Sequence, residues 1–95
     1  MTLSDIVADL HAINRALVSF EENYGLLSDT FFAWYRQGNE PEEETWVLDF
    51  AEWAGWCKSR ERLLALYNQR LQELLASDGN DLNHIIQQIR QTVLA

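Results

Sequence analysis

Six carboxylates fall within residues 38–53 with no base among them: Glu40, Glu42, Glu43, Glu44, Asp49 and Glu52. Acids this dense suit three kinds of chemistry. They could ligate a divalent cation, but the loop spacing Asp-x-Asp-x-Asp-Gly is absent. They could act as an acid–base pair, which needs a cleft and two differently tuned groups. Asp49 and Glu52, three apart on neighbouring lines of one helix face, are the nearest to such a pair. Or they could draw in a basic partner. A run of like charges repels itself, and folding gains little from it beyond the favourable placement of acids at a helix N-terminus. A basic surface would relieve that repulsion and be steered toward it. The plainer alternative is that the acids keep an aromatic-rich chain in solution.

The other reactive side chains point to less. His11 and His84 have no histidine four residues on, no neighbouring cysteine and no Glu-x-x-His pairing, so no metal site is expected. Cys57 is the single cysteine, which excludes an intrachain disulfide. It falls on an apolar seam, where a small core residue is expected rather than an exposed nucleophile. Trp34, Tyr35, Trp46, Trp53 and Trp56 could stack on bases, but such platforms pair aromatics with a basic groove. Their surroundings here are acidic, which favours core packing or a protein interface. No catalytic constellation, phosphate loop or cofactor motif is present, so the expected protein is not an enzyme and takes no cofactor.

Composition agrees. The formal net charge is -8, with pI about 4.5, which argues against direct nucleic-acid binding. There is no apolar run of membrane-spanning length. Met1 to Asp5 lacks the basic and apolar parts of a secretory signal, so a cytoplasmic location is expected. Four Trp, four Phe and three Tyr are a large apolar load for 95 residues. Either the core is unusually aromatic, or part of that load is buried against another chain.

The elements that must position these residues all have helical period. Leu3, Ile6, Leu10, Ile13, Leu17, Phe20 and Tyr24 alternate steps of three and four, a heptad seam. Ser4 is the expected N-cap and Gly25 the left-handed C-terminal residue. Ser28 is placed to cap a short helix crowded with Phe31, Phe32, Trp34 and Tyr35, ended by Gly38 and Asn39. Pro41 is suited to the first turn of a long third helix. That helix has the seam Trp46, Phe50, Trp53, Cys57, Arg60, Leu64, Tyr67, Leu71 and Leu74, and a second apolar flank with Trp56 and Leu63. Gly55 marks either a kink or a close helix approach. Residues 77–80 read as a turn, and Asn80 or Asp81 caps a last helix with Leu82, Ile85, Ile86, Ile89 and Val93 on one face. The expected architecture is a single all-α domain over residues 1–95, with helices near 5–23, 29–37, 42–76 and 81–94. The first and third pack as an antiparallel hairpin or bundle, and the short aromatic helix closes one end.

One stretch is also familiar. Glu21-Glu22-Asn23-Tyr24-Gly25, Ser28, Phe31-Phe32, Tyr35 and Gly38, followed by Asp49-Phe50-Ala51-Glu52-Trp53-Ala54-Gly55, resembles a group of small acidic helical prokaryotic proteins, many of them cyanobacterial. Those proteins look like antitoxin partners of small nuclease-like toxins. The similarity runs from about Phe20 to Leu75 and omits the last helix. It implies a partner class and carries over no catalytic residue.

The expected function is therefore a protein-binding module that docks a basic partner through Glu40, Glu42, Glu43, Glu44, Trp46, Asp49 and Glu52. A homodimer is expected through the flank with Trp56 and Leu63, or through the distal seam with Leu64, Tyr67 and Leu71, since two seams and a flank exceed what one short bundle needs. The third helix is acidic in its first half and basic in its second, which favours antiparallel copies. The competing reading is a structural subunit that binds only itself; a third, a metal- or cofactor-dependent enzyme, has no motif behind it.

Overall fold

A computed structural model describes residues 1–77 and 81–94, with side chains through Gln91. Among these residues the regular elements are four α-helices: α1 (Leu3–Tyr24), α2 (Ser28–Tyr35), α3 (Glu44–Ser77) and α4 (Leu82–Leu94). The predicted turn at Asp78, Gly79 and Asn80, and the predicted core-facing side chain of Val93, lie outside the described residues.

Two heptad seams set the frame. Every predicted seam residue of α1 and α3 is buried or half-buried. The helices run antiparallel: Phe20 and Tyr24, at the end of α1, meet Trp53 near the start of α3. Leu3 and Ser4, at the start of α1, share a cleft with Arg70 and Leu74, near the end of α3. Arg60, the polar member of the α3 seam, reaches Asp29 of α2 at 3.8 Å. α2 lies across the end of the hairpin where α1 finishes and α3 begins, burying Phe31 and Phe32.

The helix ends follow local chemistry, in places other than expected. α1 begins at Leu3, because Thr2 forms a reciprocal cap with Asp5: the hydroxyl accepts from the Asp5 N–H (3.2 Å) and the carboxylate from the Thr2 N–H (3.1 Å). Ser4 would have needed such a partner at Val7, whose side chain cannot accept. Gly25 ends α1 at φ 73°, its N–H donating to the Glu21 carbonyl at 2.8 Å. α2 has Leu27, not Ser28, at its N-cap. The Ser28 hydroxyl is taken by another partner, and the Glu21 carboxylate accepts the Ser28 N–H instead, at 2.8 Å. Pro41 stays outside α3, which starts at Glu44; residues 39–42 form one wall of a cavity described below. Asp81 caps α4, accepting from the Asn83 N–H at 2.9 Å.

Gly55 does not interrupt α3 and receives no neighbour. The helix is continuous through it, and a Cβ placed there would meet nothing within 4 Å. On α4, Ile85 is buried and Ile89 half-buried, whereas Leu82 and Ile86 are exposed. The predicted apolar face is thus only partly used within the chain.

Candidate protein-docking site

The centre of the aromatic end is Trp53, which has no exposed surface. Phe31 lies flat on it, with ring centroids 3.9 Å apart, and Phe20 and Tyr24 stack at 5.7 Å. Its indole N–H donates to the Ser28 hydroxyl at 3.0 Å, so the buried polar atom is satisfied. Ser28 thereby joins α1, through Glu21, to α3, through Trp53. Cys57 sits beneath it, buried, with Sγ 4.0 Å from the Ser28 carbonyl. Burial, and secondarily the nearby Asp29 carboxylate, push its thiol up to about 11, which leaves it protonated at neutral pH and a poor nucleophile.

Above this core the surface opens into a cavity of about 530 Å³ between α2, the connection after it and the start of α3. Phe31 and Phe50 form its floor, 1% and 8% exposed, and Trp34 and Trp46 flank it. Both indoles pack on the Phe50 ring, Trp46 stacked at 5.9 Å and Trp34 edge-on at 6.1 Å. Leu26, Thr30, Asn39 and Pro41 complete the wall, and Glu40 and Glu42 stand on it. Two restraints hold the flanks. The Asn39 side-chain amide donates to the Trp34 carbonyl at 2.8 Å. Trp46 meets the edge of Tyr24, whose hydroxyl donates to Asp49 at 2.6 Å. That hydrogen bond to a carboxylate, with burial added, holds the Tyr24 phenol up to about 12.

The six predicted acids therefore divide. Glu40 and Glu42 line the cavity together with Trp46. Glu43, Glu44 and Glu52 are exposed outside it. Asp49 is half-buried, and its carboxylate is engaged by Tyr24. The carboxylates of Glu40, Glu42, Glu43, Glu44 and Glu52 form no hydrogen bond or ion pair among the described residues. Phe31 and Phe50 join the site from positions that the charge pattern does not mark, whereas Trp34, expected with Trp46 as a candidate apolar anchor beside the acidic run, flanks the cavity. Trp34 carries the one usable signal, an aromatic residue in a crowded short helix.

The charge distribution over the fold is uneven. Residues 16–57 hold nine acids and one base, Arg36, whereas the rest of the chain holds six of each. Counted along the sequence, the net charge of -8 thus falls within residues 16–57, to which Arg60 of α3 reaches back at Asp29, 3.8 Å away. Arg36 leaves it unrelieved: its guanidinium lies over Phe32 at 4.0 Å and bonds both Glu61 oxygens at 2.9 Å.

The residues predicted for self-association spread over two sides of the hairpin. Trp56 and Leu63 line a groove with Asp9, Ala12, Ile13 and Leu66. Leu63 also packs on the aromatic core. Tyr67 lies in a cleft with Val7, His11 and Ile89, and Leu64 and Leu71 are half-buried. His11 and His84 are both exposed, and among the described residues no group of three or more His, Cys, Asp and Glu side chains gathers to hold a metal ion. No described helix is long and apolar enough to cross a membrane.

Comparison with known proteins finds no matching family model, no matching curated protein and no matching solved structure.

Proposed function

We propose that this chain is a non-enzymatic protein-binding module of the cytoplasm that docks a basic protein at the acidic aromatic end, in the manner of an antitoxin. The observation that supports it most is the coincidence of an apolar, ring-walled cavity with residues 16–57, a stretch that holds nine acids and one base. Solubility alone would be served by acids spread over the surface. Here unpaired Glu40 and Glu42 line a cavity flanked by exposed Trp34 and half-buried Trp46, the composition of an interface with an apolar anchor and a charged approach. The test is to isolate the bound protein from the native host, identify it and rebuild the complex from purified components. Changing Glu40, Glu42, Glu43 and Glu44 together to Gln is expected to weaken binding at least tenfold. The association rate of the wild type should fall steeply with added salt. A variant that binds as tightly as the wild type overturns the reading.

A second reading, self-association, draws on a different observation. The chain exposes 6883 Å², where a compact monomer of 11.1 kDa would expose about 5,700 Å². Its radius of gyration is 17.2 Å, against about 13 Å for a compact chain of this length. The excess is more than the roughly 800 Å² that each partner contributes to a standard interface. A homodimer through the distal seam of α3, with Leu64, Tyr67 and Leu71, would cover it; Trp56 lies on the other side of the hairpin. Light scattering should then give twice the chain mass at micromolar concentration, and Leu71→Asp should halve it. Leu63 is unsuited to that test because it supports the core. A wild-type chain that stays monomeric at high concentration excludes the dimer.

A further inference from the structure

We propose that the cavity between α2 and the start of α3 is a seat for a guanidinium group, an arginine side chain presented by the docked partner. This rests on the docking reading above and names the chemistry of its anchor.

The walls and the charge ask for the same ligand. An apolar side chain would fill the space over Phe31 and Phe50, but it would bring Glu40 and Glu42 toward a desolvated surface with no compensating partner. An anion would be repelled. A cation with a flat or apolar body meets both demands, since its charge is attracted to the faces of indole rings and to carboxylates together. Among cationic side chains, guanidinium fits better than ammonium. It is planar, weakly hydrated, stacks on aromatic faces and can bond a carboxylate through two N–H groups. The volume of about 530 Å³ lies within the range of small-ligand sites.

No cation of the chain itself fills the space. Neither Lys nor Arg lines the cavity among the described residues, and Arg36 is bound to Glu61 and Phe32. The seat is also held in shape before anything binds. Asn39 fixes the backbone at Trp34, and the chain of contacts from Asp49 through Tyr24 supports Trp46. Binding therefore orders little that is not already ordered, which favours affinity.

The four tryptophans supply a direct readout. Their indole N–H resonances, assigned with single Trp→Phe variants, are followed while the full chain is titrated with hexa-arginine, hexalysine and hexacitrulline peptides. Hexa-arginine should shift Trp34 and Trp46 and the backbone amides of residues 39–44, with Trp53 unmoved because it is buried and bonded to Ser28. Hexalysine should bind at least tenfold more weakly, and hexacitrulline, uncharged but of the same shape, should not bind. Trp34→Ala, at a residue 40% exposed, should lower hexa-arginine affinity at least tenfold with an unchanged circular dichroism spectrum. Equal shifts with arginine and lysine peptides, still indoles, or a Trp34→Ala variant of undiminished affinity overturn the guanidinium seat. If both cationic peptides shift residues 40–44 while the indoles stay still, the seat fails and acidic docking stands. If neither peptide touches these residues, both fall together.

Discussion

α3 belongs to two differently built regions. Up to Cys57 its seam is largely covered: Phe50, Trp53 and Cys57 are buried, with Ala54 beside them, and Trp46 is half-buried. From residue 58 to residue 77 the same three-four spacing continues, yet no side chain is buried. The sequence pattern is equally good in both halves, so periodicity does not explain the difference. The first half has a third layer, because α2 brings Phe31 and Phe32 across the α1–α3 pair. The second half has a smaller aliphatic core, with Leu3 and Ile6 at the start of α1 and Ile85 of α4 buried and Ile89 half-buried, which leaves its own α3 side chains half-exposed. Two helices alone leave the flanks of each seam open, and a heptad pattern buries its residues only where a third surface closes over them. Charge follows the same division along the sequence, with the net charge falling within residues 16–57. The three-layered end thus presents a shaped site, whereas the other end has half-buried apolar area left to cover.

The contrast can be broken most directly at its centre. Trp53→Ala removes three ring stacks and orphans the Ser28 hydroxyl; it should cost about 3–5 kcal/mol in urea unfolding. Leu71→Ala, in the open half, should cost about 1 kcal/mol. Equal losses would mean that the two halves are packed alike.

Alkaline pH should weaken the closed end first. Tyr24 keeps its proton to about 12 in the fold and has an ordinary value of 10 when unfolded. Its contribution is complete below pH 10 and disappears as pH rises toward 12. Cys57 acts in the same direction between 9 and about 11. Stability should therefore fall above pH 9, because the unfolded chain releases protons that the native chain retains. Tyr24→Phe should flatten the part of that decline between pH 10 and 12. At neutral pH it should cost about 1–2 kcal/mol through the lost hydrogen bond to Asp49. A decline unchanged by the substitution would place the effect elsewhere.

The smallest effect is expected at the junction of the halves. Gly55→Ala should stabilise the chain by about 0.5–1 kcal/mol, since α3 is continuous there and an added Cβ meets open space. A loss measured in thermal unfolding would mean that something outside the chain packs on this face.

Much of the secondary structure was legible in the residues themselves. The seams of α1 and α3, the Gly25 stop and the Asp81 cap are all decided by groups within about four residues of one another. Local hydrogen bonding and helical period act over that distance, so the chain alone determines them. The shifted starts of α1 and α2 show where this fails. The α1 start turned on which hydroxyl had a reciprocal partner, and the α2 start on a carboxylate seven residues back and an indole 25 residues on. The candidate site was legible as a charge run but not as a place. Tyr24 meets Asp49 only because α1 and α3 pack antiparallel, and Ser28 meets Trp53 and Trp34 joins Trp46 over Phe50 only because α2 folds back across that pair. No pattern within one helix records where another helix will lie, so tertiary packing alone decided which acids surround the rings and which, like Asp49, are held within the fold.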